Sequence, residues 1–183
     1  EIQGNHANCV VIAVYGNRAY DDGLIQLKDT AELCGFNVIA SVATVAEHSI
    51  MRQFGSGRPD EEDSKELKKF AEEILEKLSS EKELSTDYFV PGSHEYKRLG
   101  NLSVVPKANA SCTGCGKCAE ACPTGAINKN NIRTGDSSKC ISCMGCIAAC
   151  PKGIRKLNPV FLAAASLKMK NLLSGRKPNE IFL

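Results

Sequence analysis

Two related stretches dominate the sequence: CTGCGKCAEACPTGAI at residues 112–127 and CISCMGCIAACPKGIR at residues 140–155. Seven of the sixteen aligned positions are identical, namely four Cys, one Ala, one Pro and one Gly. The stretches therefore form an internal repeat with a period of 28 residues, the separation of Cys112 and Cys140. Each copy reads C-x2-C-x2-C-x3-C-P, a spacing typical of the cysteine ligands of bacterial iron–sulfur clusters.

The spacing within each copy predicts which cysteines share a cluster. Three thiolates separated by two residues each can surround three corners of an iron–sulfur cubane in a tight loop. The Pro after the fourth Cys ends the local structure, so that this last thiolate reaches the other cluster. We therefore predict two 4Fe-4S clusters with exchanged fourth ligands. The first set comprises Cys112, Cys115, Cys118 and Cys150, and the second comprises Cys140, Cys143, Cys146 and Cys122.

Zinc and disulfides are the two alternatives for these cysteines. The chain has ten cysteines, of which eight lie between Cys112 and Cys150. Zinc ribbons also use four cysteines, but they contain two C-x2-C knuckles rather than four-cysteine runs that end in Pro. Disulfide frameworks are typical of secreted proteins, whereas metal-ligand spacing favours a reducing compartment. We therefore expect a cytoplasmic location. Cys9 and Cys34 lie outside the repeat and are expected to be small buried side chains.

The charge and hydropathy of the chain exclude several classes of protein. The formal net charge is +2 over 183 residues, which is too balanced to indicate a nucleic-acid-binding protein. No apolar stretch approaches the ~18 residues that a membrane-spanning helix needs, and no secretory leader is visible. Four basic residues next to the cysteines are expected either to stabilise reduced clusters and guide a partner, or simply to lie in solvent: Lys117, Lys139, Lys152 and Arg155.

The first third of the chain has a β–α–β–α pattern. The apolar runs at residues 9–15 and 36–43 are typical of strands buried in a parallel sheet. Helical spacing of apolar residues predicts a helix from Gly23 to Cys34, with Asp22 as its N-cap. A second amphipathic helix is predicted at residues 60–79. Two parallel strands leave both sheet edges unpaired, so we expect another segment to complete this sheet.

These patterns predict an α/β region followed by an α+β domain. Residues 1–80 have the pattern of the C-terminal half of a doubly wound parallel sheet, and residues 81–102 have the composition of a linker. The cysteine repeat is the centre of a domain at residues 103–157. Residues 158–183 are expected to form a C-terminal helix and tail, with Asn158 as the helix N-cap.

The cysteine repeat resembles the two-cluster bacterial ferredoxins, and the residues that carry this resemblance are the two C-x2-C-x2-C-x3-C-P runs. The resemblance implies a pseudo-two-fold α+β fold that binds two 4Fe-4S clusters. It also implies low-potential transfer of single electrons.

The preceding region is similar to the flavodoxin half of proteins that fuse a flavodoxin to a ferredoxin. The similarity lies in VIAVYGNRAYDDGLIQLKD at residues 11–29 and in AEHS and RPD further on. It implies that the loop after the first strand, at the carboxyl end of the sheet, contacts FMN. The implied flavin contacts are Tyr15, Gly16, Asn17 and Tyr20. The first half of the flavodoxin fold and its phosphate loop are absent here, so FMN is expected only together with that missing N-terminal half.

Together these features favour an electron carrier over an enzyme. We expect two 4Fe-4S clusters that pass single electrons to or from a flavin or a partner redox protein. The expected partner for residues 1–80 is the N-terminal flavodoxin segment or a second copy of this chain, and neither nucleic acid nor a membrane is expected. One alternative is a flavin- and cluster-dependent oxidoreductase that acts on a small substrate. Another is a structural metal module that docks a partner.

Overall fold

The computed structural model describes residues 2–80, 84–97 and 104–183. The described residues form two compact units. The first unit contains residues 2–48, 52–97 and 172–183, and the second contains residues 49–51 and 104–171. Within the described ranges, no helix combines the length and the apolar character that crossing a bilayer requires.

The first unit consists of a three-stranded sheet with two helices. Its strands are β1 (Asn8–Tyr15), β2 (Asn37–Val45) and, at the end of the chain, β5 (Glu180–Phe182). Its helices are α1 (Gly23–Leu33) and α2 (Glu61–Ser79). The strand order is β1-β2-β5, in which β1 and β2 are parallel and β5 is antiparallel to β2. The first two strands and both helices lie within two residues of the predicted boundaries.

The two parallel strands differ in how well they are covered. Every residue of β2 from Val38 to Val45 is buried, as the continuous apolar run predicts. On β1, Val11 packs into the core against α1, whereas Ile12 and Val14 are 53% and 65% exposed. Successive side chains of a strand point to opposite faces, so one face of β1 remains open to solvent.

The third strand corrects the prediction that both edges of the sheet are unpaired. Ser41, Val42 and Ala43 of β2 pair with Phe182, Ile181 and Glu180 of β5. The edge of β2 is therefore completed by the chain's own C-terminal segment, which was expected to be an irregular tail. A strand of three residues has too short a pattern to detect in the sequence, and it forms because β2 provides an edge. The outer edge of β1 has no strand partner among the described residues.

A buried polar network attaches this C-terminal segment to the first unit. Arg58 and Asp63 form a buried, two-bonded ion pair, with the Arg58 Nε 2.9 Å from Asp63 Oδ2. The Asn179 side chain accepts hydrogen bonds from Thr44 Oγ1 and Val45 N, both at 2.9 Å. It also donates to Asp63 Oδ1 at 2.9 Å. Asn179 therefore links β2 to the ion pair, immediately before β5 begins at Glu180.

Residues 84–97 pack against the first unit, which differs from the predicted linker at residues 81–102. Val90 lies in the core, and the Tyr88 hydroxyl is 2.9 Å from Ser41 Oγ. The Asp22 carboxylate accepts hydrogen bonds from the backbone N–H groups of Ser93 and Lys97 instead of capping α1. The other residues of the predicted linker lie outside the described ranges. Composition alone does not reveal such packing, because the contacts join segments about seventy residues apart.

The second unit has short elements arranged around the cysteine repeat. Strands β3 and β4 pair in antiparallel fashion, with Ala108 opposite Arg155. Asn158 caps the last helix as predicted, since its Oδ1 accepts a hydrogen bond from Val160 N at 2.9 Å. The elements are β3 (Lys107–Ala108), α3 (Lys117–Glu120), a 3-10 turn (Lys129–Asn131), α4 (Gly145–Ala148), β4 (Arg155–Lys156) and α5 (Pro159–Leu173).

The buried ion pair leads to a stability prediction. Hydrogen bonds, first of all from the Arg58 guanidinium, hold the pKa of Asp63 well below its usual range. Asp63→Asn leaves Arg58 buried without its counter-ion, so the free energy of unfolding should fall by roughly 3–5 kcal/mol at neutral pH. Anaerobic chemical denaturation measures this change. Glu72→Gln, at an exposed position of the same helix, is the control and should change stability by less than about 0.5 kcal/mol.

The same variant has a defined pH dependence. A carboxylate whose folded pKa is depressed contributes stability above its unfolded pKa of about 4, and this contribution is lost as pH falls towards the folded pKa. The stability difference between the wild type and Asp63→Asn should therefore narrow below about pH 4. A difference that stays constant or widens on acidification would contradict this role for the ion pair.

Candidate metal centre

The cysteines of the repeat line two separate cavities in the second unit. One cavity is lined by the first predicted set: Cys112, Cys115, Cys118 and Cys150. The other is lined by the second predicted set: Cys122, Cys140, Cys143 and Cys146. In each cavity, three cysteines come from one copy of the repeat and the fourth comes from the other copy. The structure therefore brings together both sets that the spacing predicts.

Left-handed backbone positions shape the loop in each copy of the repeat. Gly114 and its counterpart Ser142 have φ values of 73° and 56°, and Gly116 and its counterpart Met144 have 83° and 61°. Each loop bends twice between the first and third cysteine because a left-handed residue stands on both sides of the second. Ser142 and Met144 adopt this conformation despite their side chains, which is uncommon for residues other than glycine. Cys118 and Cys146 then lie on the short helices α3 and α4.

Hydrogen bonds surround the fourth cysteine of each copy. Ala126 N lies 3.3 Å from the Cys122 sulfur, and Thr124 Oγ1 lies 3.7 Å from it. Burial acts to raise the pKa of the Cys122 thiol, but hydrogen bonds from Thr124 and the following N–H groups outweigh it and lower the pKa. For Cys150, N–H groups, first of all that of Arg155, lower the thiol pKa. Both fourth cysteines are therefore stabilised as thiolates, the form that binds metal.

The third cysteine of the second copy has the opposite tendency. Burial raises the pKa of the Cys146 thiol, and the nearby Cys143 and Cys140 act in the same direction, while Arg155 opposes them. Several thiolates cannot collect in one cavity without a compensating positive charge. A metal core provides that charge, so the donor set suits a cluster that binds thiolates.

None of the ten cysteines, all of which lie in the described ranges, forms a disulfide bond. Within the described residues, no three His, Cys, Asp or Glu side chains converge closely enough to hold one metal ion. Instead, the four cysteines of each set line one cavity, which suits the ligands of a multi-iron cluster. The residues present therefore fit an iron–sulfur cluster in each cavity.

Comparison with known families identifies this part of the chain. Residues 111–154 match a family described as the 4Fe-4S dicluster domain. This segment is a ferredoxin-like iron–sulfur domain. No curated protein and no solved structure matches the chain. The matched segment does not include any of residues 1–80, so the flavodoxin similarity and the fusion remain predictions.

The four predicted flavin contacts lie in the first unit, next to the C-terminal segment. Asn17 is 2% exposed, and its Nδ2 donates hydrogen bonds to Leu173 O at 2.6 Å and Gly175 O at 2.7 Å. The Tyr15 hydroxyl donates to Pro178 O at 3.2 Å. Both amide hydrogens of Asn17 are therefore already used within the chain.

The other two predicted contacts have different surroundings. The ring of Tyr20 lies edge-on to that of Tyr15, with centroids 5.4 Å apart. Burial and a hydrogen bond with Glu180 raise the pKa of Tyr20 to about 12. Gly16 lies against His48, and a Cβ added at Gly16 would come within 3.0 Å of the His48 Cα. The role of all four residues in flavin binding remains a prediction.

Arg155 is the site residue whose placement the sequence did not reveal. Its position next to the cysteines left two expectations open, a role beside the clusters and a solvated side chain, and the structure shows a residue that is 1% exposed and lines both cavities. Lys117, Lys139 and Lys152 are exposed. This agrees with the second of the two expectations for them, that they lie in solvent. The repeat itself contained a signal for the burial of Arg155, because the equivalent position in the first copy is the apolar residue Ile127.

Proposed function

We propose that this protein is an electron carrier with two 4Fe-4S clusters, one in each cysteine-lined cavity. The observation that supports the proposal is the grouping of eight cysteines into two sets of four around separate cavities. The iron–sulfur domain itself supports a role in electron transfer. Each cluster, when bound, exchanges one electron at a time.

The residues around the cavities have distinct tasks in this proposal. The eight thiolates bind iron, and the N–H groups that follow Cys122 and Cys150 donate hydrogen bonds to their sulfurs. Such hydrogen bonds help to set the reduction potential. Cys115 and Cys143 are exposed, so each cavity has one ligand at the surface of the unit. A redox partner that docks there reaches a cluster over a short distance.

The electron donor or acceptor that we propose is a flavin or a partner redox protein. We also propose that the first unit is part of a flavodoxin-like sheet, completed at β1 by an N-terminal flavodoxin segment or by a second copy of the chain. The exposure of Ile12 and Val14 and the open outer edge of β1 support this proposal. An unpaired, apolar strand edge is a ready site for pairing with another strand.

Iron analysis tests the cluster proposal. Anaerobically purified protein should contain about eight irons and about eight acid-labile sulfides per chain, the content of two cubanes. It should be brown, and dithionite should bleach its visible absorption. Zinc in place of iron and sulfide would contradict the proposal. About four irons per chain would show that the protein binds one cluster and not two.

The exchange of fourth ligands predicts that replacing a fourth cysteine damages the cluster of the other copy, whereas proximity in the sequence would predict damage to the cluster of its own copy. Cys122→Ala should damage the cluster of Cys140, Cys143 and Cys146, because Cys122 lines their cavity. Cys150→Ala should damage the other cluster in the same way. EPR spectra of the reduced variants distinguish the two clusters. Cys34 was expected to be buried, but it is exposed and lies outside both cavities. Cys34→Ala is therefore the control and should leave both signals intact. The exchange is wrong if Cys122→Ala spares the cluster of Cys140 and removes the other.

The open edge of β1 predicts association. Native mass spectrometry at micromolar concentration should show a dimer, or a complex with a separately supplied flavodoxin segment. Ile12→Lys should weaken this association because it places a charge on the open face of β1, whereas Leu33→Lys, at an exposed site on α1, should not. A monomer whose β1 amides all resist hydrogen exchange would show that the sheet needs no further strand.

A further inference from the structure

Arg155 occupies a position between the two cysteine sets. It lies on β4 and is 1% exposed, the most thoroughly buried charged side chain of the described part of the second unit. It lines the cavity of Cys122 and also that of Cys150. Among the residues that the structure describes, no other residue belongs to the lining of both cavities.

The charge of this side chain is not neutralised by any carboxylate of the described residues. Its Nη1 donates a hydrogen bond to Pro106 O at 2.7 Å, and its Nη2 donates to Ile132 O. Its Nε is the one buried side-chain nitrogen or oxygen atom in the described ranges without a hydrogen-bond partner. Two carbonyl dipoles satisfy part of the guanidinium but leave its positive charge in place. A buried cation without a counter-ion is strongly unfavourable, so an anion is expected nearby.

Cysteines of both sets lie near Arg155, because this residue lines the cavity of each set. Its own backbone N–H donates a hydrogen bond to the Cys150 sulfur of the first set. Its positive charge acts on the Cys146 thiol of the second set. An oxidised 4Fe-4S cluster with four thiolates carries a charge of about −2, so two clusters would together supply about four negative charges near this one guanidinium.

The repeat shows that the fold does not require a cation at this position. Arg155 aligns with Ile127 of the first copy, five residues after the fourth Cys in each case. Ile127 is also buried, at 7% exposure, and it lines the second cavity alone. The same local structure therefore accepts an aliphatic side chain, and the charge at Arg155 needs a reason other than packing.

We propose that Arg155 is an internal counter-ion shared by the two clusters, which raises the reduction potential of both. This inference rests on the proposed function. Each cluster gains one electron from its donor, which loses one, and its charge changes from about −2 to about −3 with no bond made or broken. A fixed positive charge stabilises the more negative form, so it favours reduction. Because Arg155 is buried, dissolved salt screens its effect much less than it screens exposed lysines such as Lys152.

The test uses the holoprotein and compares a variant that loses the charge of Arg155 with a variant that keeps the charge but changes the shape of the side chain. Arg155→Met removes the charge and keeps most of the length, whereas Arg155→Lys keeps the charge and loses the two-sided hydrogen bonding. EPR-monitored redox titrations at low and high salt give the midpoint potential of each cluster. Ile127→Val alters packing at the equivalent position without a change in charge, and Lys152→Gln removes an exposed charge next to the first cavity.

We expect Arg155→Met to lower both potentials. At a fixed ambient potential, the ratio of reduced to oxidised cluster should fall at least tenfold for each cluster, which for a one-electron couple corresponds to about 59 mV. Arg155→Lys should retain most of the wild-type ratio, and Ile127→Val should leave it unchanged. The shift in Arg155→Met should persist at high salt, whereas any shift in Lys152→Gln should disappear there.

Several outcomes overturn the proposal. Unchanged potentials in Arg155→Met would show that Arg155 does not influence the clusters, and equal shifts in Arg155→Met and Arg155→Lys would show that it acts through its hydrogen bonds and not through its charge. If Arg155→Met does not retain both clusters, the iron content of two further variants is compared. Iron that is retained in Arg155→Lys and lost in Arg155→Gln supports the counter-ion. Equal loss of iron from Arg155→Lys and Arg155→Gln contradicts it. Iron analysis of the wild type separates these results from a failure of the proposed function, which would leave no clusters to titrate.

Discussion

The reciprocal placement of the fourth cysteines is the constraint on which the second unit depends. Cys122 and Cys150 each lie in the cavity lined by the first three cysteines of the other copy. Neither copy can therefore complete a ligand set alone, and the two copies have to fold together. The pairing of β3 with β4 agrees with this requirement, since it joins the beginning of the repeat region to its end. Apart from α5, the regular elements in the described part of this unit span only two to four residues each.

Each unit contains a buried arginine, and the positive charge is compensated differently in the two units. In the first unit, Arg58 is neutralised by the Asp63 carboxylate and becomes part of the network that holds the C-terminal segment. In the second unit, Arg155 has carbonyl partners, an unpaired Nε and cysteines on both sides. A protein carboxylate compensates the first charge. For the second charge, the proposed clusters provide the compensation, which links the electrostatics of the fold to the chemistry of the site.

The predictions from sequence were accurate where the signal was local. The runs at residues 9–15 and 36–43 and the helical patterns at residues 23–34 and 60–79 place four elements within two residues of the structure. The short strand β5 and the packing of residues 84–97 were missed. In both cases the residues gain their structure from partners far away in the chain, such as Ser41 for Phe182 and Asp22 for Ser93. No period or cap in the nearby sequence records such contacts.

The sequence by itself determined the cysteine sets, because the spacing of thiols along a chain limits which of them can surround one cubane. It also determined the two apolar strands, because a short continuous apolar run is a property of neighbouring residues. Only the tertiary structure decided the environment of the charged and polar side chains. Asn and Arg are residue types that usually lie at the surface. Asn17 and Arg155 are nevertheless buried, because segments distant in sequence pack over them. Burial of a single polar residue depends on the whole fold, and so it is absent from any local pattern.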